Sequence, residues 1–96
     1  MQIAAVVGSC VSTIKNERMV GMKLLIVREA TVEGEILGEP YVAVDTVDAG
    51  QGDLVLVSHG SGSRQTVQTL DRSVDATIVG VIELLEIGRR NTYEAR

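Results

Sequence analysis

The sequence predicts an all-β fold, a small five-stranded barrel, on two observations. The first is the choice of apolar residues. Fifteen Val and seven Ile stand among 96 residues, with no Phe and no Trp, so the core must be built from branched aliphatics. Branching at Cβ stiffens χ1 and favours the pleated strand over the helix. The second is punctuation: the apolar runs are short, and glycine-rich or polar stretches separate them. The length implies one domain. A chain this small buries a limited share of its surface and is only moderately stable alone.

The elements follow in order. Residues 2–13 form the first strand, with Ile3, Ala5, Val7 and Val11 on one face and Ala4, Val6 and Cys10 on the other. Residues 14–21 are polar and basic and read as a loop. Residues 22–30 form the second strand, with Met22, Leu24 and Ile26 opposite Lys23, Leu25, Val27 and Glu29. Residues 31–39 carry Gly34 and Gly38 and read as a turn excursion. Pro40 opens the third strand, where its missing N–H is tolerated, and residues 41–44 continue it. Gly50 and Gly52 frame a tight turn into the fourth strand, residues 53–59. Residues 60–63 form a loop. One or two helical turns over residues 64–70 fit Ser63 as N-cap, although Thr66, Val67 and Thr69 are poor helix formers. Residues 74–87 form the fifth strand, in which Gly80 marks a bend or a close backbone approach. Residues 1–87 thus make the domain, and residues 88–96 a polar tail expected to be loose. Five strands with one short helix between the fourth and fifth suit an open or partly closed Greek-key barrel of the OB type.

Strands one, four and five are apolar on both faces. An antiparallel sheet with one wet face should alternate instead, and no crossover helices are present to cover a second face. Burying one Val, Leu or Ile contributes about 1.5–3 kcal/mol, so residues expected to point outward, such as Val6, Val55 and Val79, call for a cover. Another copy of the chain would supply it and make the protein an oligomer. Cover by a loop or by the tail is the competing reading.

Composition narrows the function. A net charge of −4 argues against a phosphate-backbone partner. Tyr41 and Tyr93 are the only aromatics, too few for the stacking platform of an OB-type nucleic-acid or ligand-binding module, the alternative this fold raises. One cysteine, Cys10, excludes an internal disulfide and has no second thiol for a metal. No apolar run reaches the roughly 18 residues of a membrane span. The first residues lack a basic leader, which favours the cytosol.

Residues 45–65, DTVDAGQGDLVLVSHGSGSRQ, hold the candidate site. Gly60, Ser61, Arg64 and Gln65 could cradle an anion, but no Gly-Lys-Ser/Thr follows and no G-x-G-x-x-G occurs. The better reading is structural, with Arg64 pairing across a subunit boundary to Asp45, Asp48 or Asp75. Gly50 and Gly52 turn the chain. His59, the one histidine, could act as a base with Asp45 or Asp75, yet no nucleophile motif surrounds it. Cys10 reads as a small buried strand residue. Lys15, Arg18 and Lys23, and separately Arg89 and Arg90, read as solvated or contact-edge cations. No cofactor, metal or catalytic set emerges.

Several segments together resemble the vertex proteins of bacterial microcompartment shells. They are MQIAAVVGSCVST at residues 1–13, GMKLL at 21–25, VAVD at 42–45, DAGQGD at 48–53, VLV at 55–57, GSGSRQ at 60–65, VD at 74–75 and IVGVI at 78–82. The resemblance implies a homopentamer of OB-like barrels that plugs the five-fold corners of a polyhedral shell with hexameric facets. It also implies a structural rather than enzymatic role, hexameric shell proteins as partners, and a place in a cytoplasmic microcompartment. Asp45, Asp48, Gly50, Gly52, Gly60, Ser61, Arg64 and Gln65 become candidate subunit-interface or pore-loop residues.

Overall fold

The computed structural model describes residues 1–13, 21–60 and 75–95. Seven strands follow one another: β1 (Gln2–Cys10), β2 (Lys23–Glu29), β3 (Tyr41–Asp45), β4 (Leu54–His59), β5 (Ala76–Val81), β6 (Leu84–Ile87) and β7 (Arg90–Glu94). The first five close into a barrel in the order β1-β2-β3-β5-β4. β3 and β5 are parallel, and every other barrel pairing is antiparallel. Closure leaves no unpaired strand edge, which suits a chain so rich in sticky aliphatic strands.

Alternation along each strand fills the barrel. Ala4 and Val6 point inward from β1, Leu25 and Val27 from β2, and Ala43 from β3. Val55 and Val57 of β4 and Ala76 and Ile78 of β5 complete this core. Small Ala residues among the Val and Ile let a narrow barrel pack without aromatic rings. Val6 and Val55, expected on the outer face, are thus almost wholly buried inside. Alternation alone could not choose the side, because both faces of β1 and β4 are apolar. Two register shifts complicate the phase further, one between Val6 and Gly8 in β1 and one at Val79 of β5, opposite Leu56 and Val57. Val79 is half-buried.

The fifth strand ends earlier than expected. The run over 74–87 breaks at Ile82 and Glu83, and its second half, β6, leaves the barrel to pair antiparallel with β7. The tail expected to be loose is therefore a β-hairpin. A two-stranded hairpin is marginal by itself. This one is fastened by Leu85 and Tyr93, which pack with Ala5, Ala30, Leu54 and Ile82 in a second apolar cluster outside the barrel. Gly34 lies against that ring: its φ of +86° calls for glycine, while a Cβ there would be in ordinary contact with Tyr93 Cδ1 at 3.5 Å.

The outer seam of β1 and β4 is thus covered by the chain's own C-terminal hairpin, and a neighbouring copy is not needed there. Among the described residues, exposed apolar side chains include Val42 of β3 and Val81 of β5, at 48% and 40%. The helical turns expected over 64–70 lie outside the described residues.

Candidate functional site

Strand directions place the N-terminal end of β2 and the C-terminal end of β3 at one mouth of the barrel. The Lys23–Asp45 pair of that register closes it. Asp45 has a fully buried side chain whose carboxylate accepts the Val47 N–H at 3.0 Å and the Ala49 N–H at 2.8 Å. Lys23 Nζ stands 3.2 Å from Asp45 Oδ2 and donates to Asp48 Oδ1 at 3.0 Å and to the Ala49 carbonyl at 2.9 Å. All three ammonium protons therefore have acceptors. These bonds, first from Asp48 and then from Asp45, raise the lysine pKa above its ordinary value.

The same bonds bend the chain. An Asp that accepts amides two and four residues ahead is a local turn device. It lets Asp48 take the left-handed conformation, φ 59°, which Asp tolerates better than most residues. Gly50 and Asp53 then make a turn: the Asp53 N–H donates to the Gly50 carbonyl at 3.1 Å, and Asp53 Oδ2 accepts the Gly50 N–H at 2.8 Å. Gly52, with φ 94°, supplies the left-handed position of that turn, and its N–H donates to the Val6 carbonyl at 2.9 Å. Loop 45–53 is thus a fixed, fully bonded protrusion that exposes Asp48, Gly50, Gln51 and Gly52.

The opposite mouth is closed by another polar set. Tyr41 donates its O–H to Gln2 Oε1 at 2.6 Å, and His59 Nε2 lies 3.1 Å from the same oxygen. The Gln2 amide oxygen can only accept, so this contact is a hydrogen bond in the form of His59 that carries a proton on Nε2. The Tyr41 and His59 rings stand 5.4 Å apart at 46°. Burial, and next the charge of Glu29, pushes the Tyr41 pKa up. Among the described residues no carboxylate hydrogen-bonds His59, so the base-and-aspartate pairing finds no support there. The barrel is an aliphatic cylinder with a hydrogen-bonded plug at each end, and no buried side-chain N or O atom among the described residues lacks a partner.

The candidate residues divide between these ends. Asp45, Asp48, Gly50 and Gly52 share the first mouth. Gly60 follows β4 at the second, where its N–H donates to the Asp75 carbonyl at 2.8 Å. Ser61, Arg64 and Gln65 lie outside the described residues, as do Lys15 and Arg18. Lys23 is an exposed rim cation, as expected, whose ammonium is bonded to the Asp45 loop. Cys10 ends β1 and is only partly buried, on an open groove of about 330 Å³ shared with Met22 and Leu24. No group of three or more His, Cys, Asp or Glu among the described residues could hold a metal ion. No described helix is long and apolar enough to cross a membrane. The ligand set of Asp45 was the feature sequence reasoning missed. Its local signal was an Asp at a strand end followed by a Gly-rich loop.

A closed barrel with a parallel β3–β5 pair and a rigid DAGQGD loop can be compared with known proteins. The family described as "Ethanolamine utilisation protein EutN/carboxysome" matches residues 1–83. The chain belongs to the EutN/CcmL family. It is 40% identical over 89 residues to the microcompartment shell vertex protein PduN of Salmonella typhimurium, covering 88% of this chain and 98% of that one. It is 38% identical over 96 residues to the carboxysome shell vertex protein CcmL of Thermosynechococcus vestitus, covering 100% and 97%. Among solved structures, CcmL of Nostoc sp. superposes with a TM-score of 0.92 at 38% identity, over 99% of this chain and 100% of that one. GrpN of Rhodospirillum rubrum, a pentameric microcompartment shell protein, superposes at 0.81 with 41% identity, over 91% and 99%. The likeness to these EutN/CcmL proteins therefore spans the barrel and, for CcmL, the C-terminal hairpin as well.

Proposed function

We propose that this chain is a structural protein that closes into a homopentamer and caps the five-fold vertices of a bacterial microcompartment shell. The observation that carries the reading is the end-to-end match to shell vertex proteins, one of them pentameric. Residues 1–87 supply the ring-forming unit and residues 88–96 complete its arm. The partners are further copies of the chain and hexameric facet proteins, and the shell lies in the cytoplasm. Neither catalysis nor a cofactor is part of this role.

The physics supports it. A flat hexagonal sheet closes into a polyhedron only where five-fold points interrupt it. A vertex plug must be rigid, and here both barrel mouths are locked by side-chain bonds while loop 45–53 is held by its own Asp residues. A cyclic ring joins two different patches of each subunit, head to tail. The exposed loop 45–53 and the segment from Gly60 to Gln65 supply candidate contact or pore positions, with Arg64 as a cross-boundary cation.

Co-expression with hexamer-forming facet proteins tests the reading by electron microscopy. Closed polyhedra are expected with the chain present, and open tubes or sheets without it. Shells that close equally well without it would overturn the proposal.

A further inference from the structure

Two exposed patches of this chain carry opposite charge. The first is the tip of the β6–β7 arm. Ile87 is 52% exposed there and stands opposite Arg90 in the register, so the two share a face, with Arg89 in the turn between them. Among the described residues neither guanidinium has an ion-pair partner; the ion pairs are those of Lys23. The second patch lies on the excursion that follows β2, where Ala30 pairs antiparallel with Ile36. The Leu37 N–H donates to the Glu29 carbonyl at 2.8 Å and the Thr31 N–H to the Glu35 carbonyl at 2.9 Å, which sets Leu37 opposite Glu29 and Glu35 opposite Thr31. Opposed residues share a face and successive ones alternate. Glu29, Glu35 and Leu37 therefore stand together on one face, with Ala30 and Ile36 on the other. All three are exposed, Leu37 by 43%. Neither carboxylate is ion-paired among the described residues. Arg28 precedes Glu29 in β2 and so falls on the other face, and its Nε donates to the Gly38 carbonyl at 2.8 Å.

One chain does not bring these patches together. Ala30 belongs to the apolar cluster that Leu85 and Tyr93 of the arm pack on, so its face of this short ladder looks toward the arm and the Glu29–Leu37 face looks away from it. Ile87 lies two residues beyond Leu85 on β6, so it carries the apolar face of the arm past the seam that Leu85 covers. We propose that the arm tip of one copy docks on the Glu29–Glu35–Leu37 face of the next, Ile87 covering Leu37 while Arg89 and Arg90 meet Glu29 and Glu35. In each patch a large apolar side chain is flanked by two charges of one sign, and the two signs are opposite. Such matching fixes partner and register. Because the patches differ and face different ways, the contact is heterologous, which a ring requires. The inference rests on the ring reading above and adds which surfaces meet.

Charge reversal with native mass spectrometry tests it. Arg89→Glu with Arg90→Glu, or Glu29→Lys with Glu35→Lys, should each raise the concentration at which the assembly half-dissociates by about tenfold or more. All four changes in one chain should bring it back toward the wild-type value. A second measurement is covalent. Ile87→Cys with Leu37→Cys, in a Cys10→Ser background, should give a ladder of linked subunits under oxidation that reduction removes. A pentameric wild type with no ladder, or with reversals that leave assembly unchanged, overturns this inference and leaves the ring standing. A monomeric wild type overturns both.

Discussion

Lys23 and Asp45 face each other across the β2–β3 ladder with Nζ and Oδ2 3.2 Å apart, the carboxylate wholly buried and the ammonium reaching it from the rim. This pair seals one barrel mouth and shapes loop 45–53 at the same time. Asp45→Ala would leave the Val47 and Ala49 amides without their acceptor. Hydrogen bonds to a charged group contribute about 1.5–3 kcal/mol, so a loss of about 2–3 kcal/mol is expected. Urea unfolding at fixed protein concentration measures it. Lys23→Met should cost less, because the carboxylate keeps both amide donors; equal losses would contradict this division of labour.

The same mouth sets an alkaline limit. Hydrogen bonds that Lys23 donates to Asp48 and Asp45 raise its pKa, so the fold holds that proton more tightly than the unfolded chain does. Burial, then Glu29, raises Tyr41 likewise at the other mouth. A group whose folded pKa is raised contributes stability that is complete below its unfolded pKa and is lost as pH climbs through the folded value. Thermal midpoints should therefore hold near neutrality and fall through and beyond the ordinary lysine and tyrosine range. Lys23→Met should flatten part of that fall, and an unchanged slope would remove the lysine from the explanation.

Tyr93 fastens the arm. Its ring packs with Leu54 and Ile82 over the β1–β4 seam. Tyr93→Ala should cost about 1–3 kcal/mol, less than a fully buried aromatic because the ring is only partly covered. It should also speed tryptic cleavage after Arg89 and Arg90, which sit at the far end of the hairpin. Cleavage at the wild-type rate would mean that the arm is held by something else.

At the second mouth, Tyr41→Phe removes the proton that bonds Gln2 Oε1 at 2.6 Å while keeping the ring against the core. His59 still serves the same oxygen, so the loss should stay within about 0.5–1.5 kcal/mol. Chemical denaturation beside the wild type checks it. A loss several times larger would show that the three side chains act as one unit.

Much of the barrel was legible because Val and Ile runs carry their own signal. β2, β3 and β4 fall within a residue or two of where the residues themselves place them. The side of the sheet was not legible. Apart from Gln2 and His59 at their ends, β1 and β4 are apolar or small at every position, and a bulge at Val6/Gly8 shifts the phase of the half of β1 that follows. The hairpin was missed because its second strand, β7, carries Tyr93 as its one large apolar residue, set among polar and charged ones. Glu83 and Glu86, interrupting the last apolar run, were the hint that the strand leaves the barrel. At the loop, the local pattern offers Asp45 and Asp48 as partners of Arg64, which lies outside the described residues. The cross-strand register that sets Lys23 opposite Asp45 is long-range and invisible to local pattern.

Native mass spectrometry of the purified chain across a dilution series counts subunits directly. The account predicts a dominant species of five chains that persists on dilution. A monomer, or an assembly with any other closed number of copies, would contradict it.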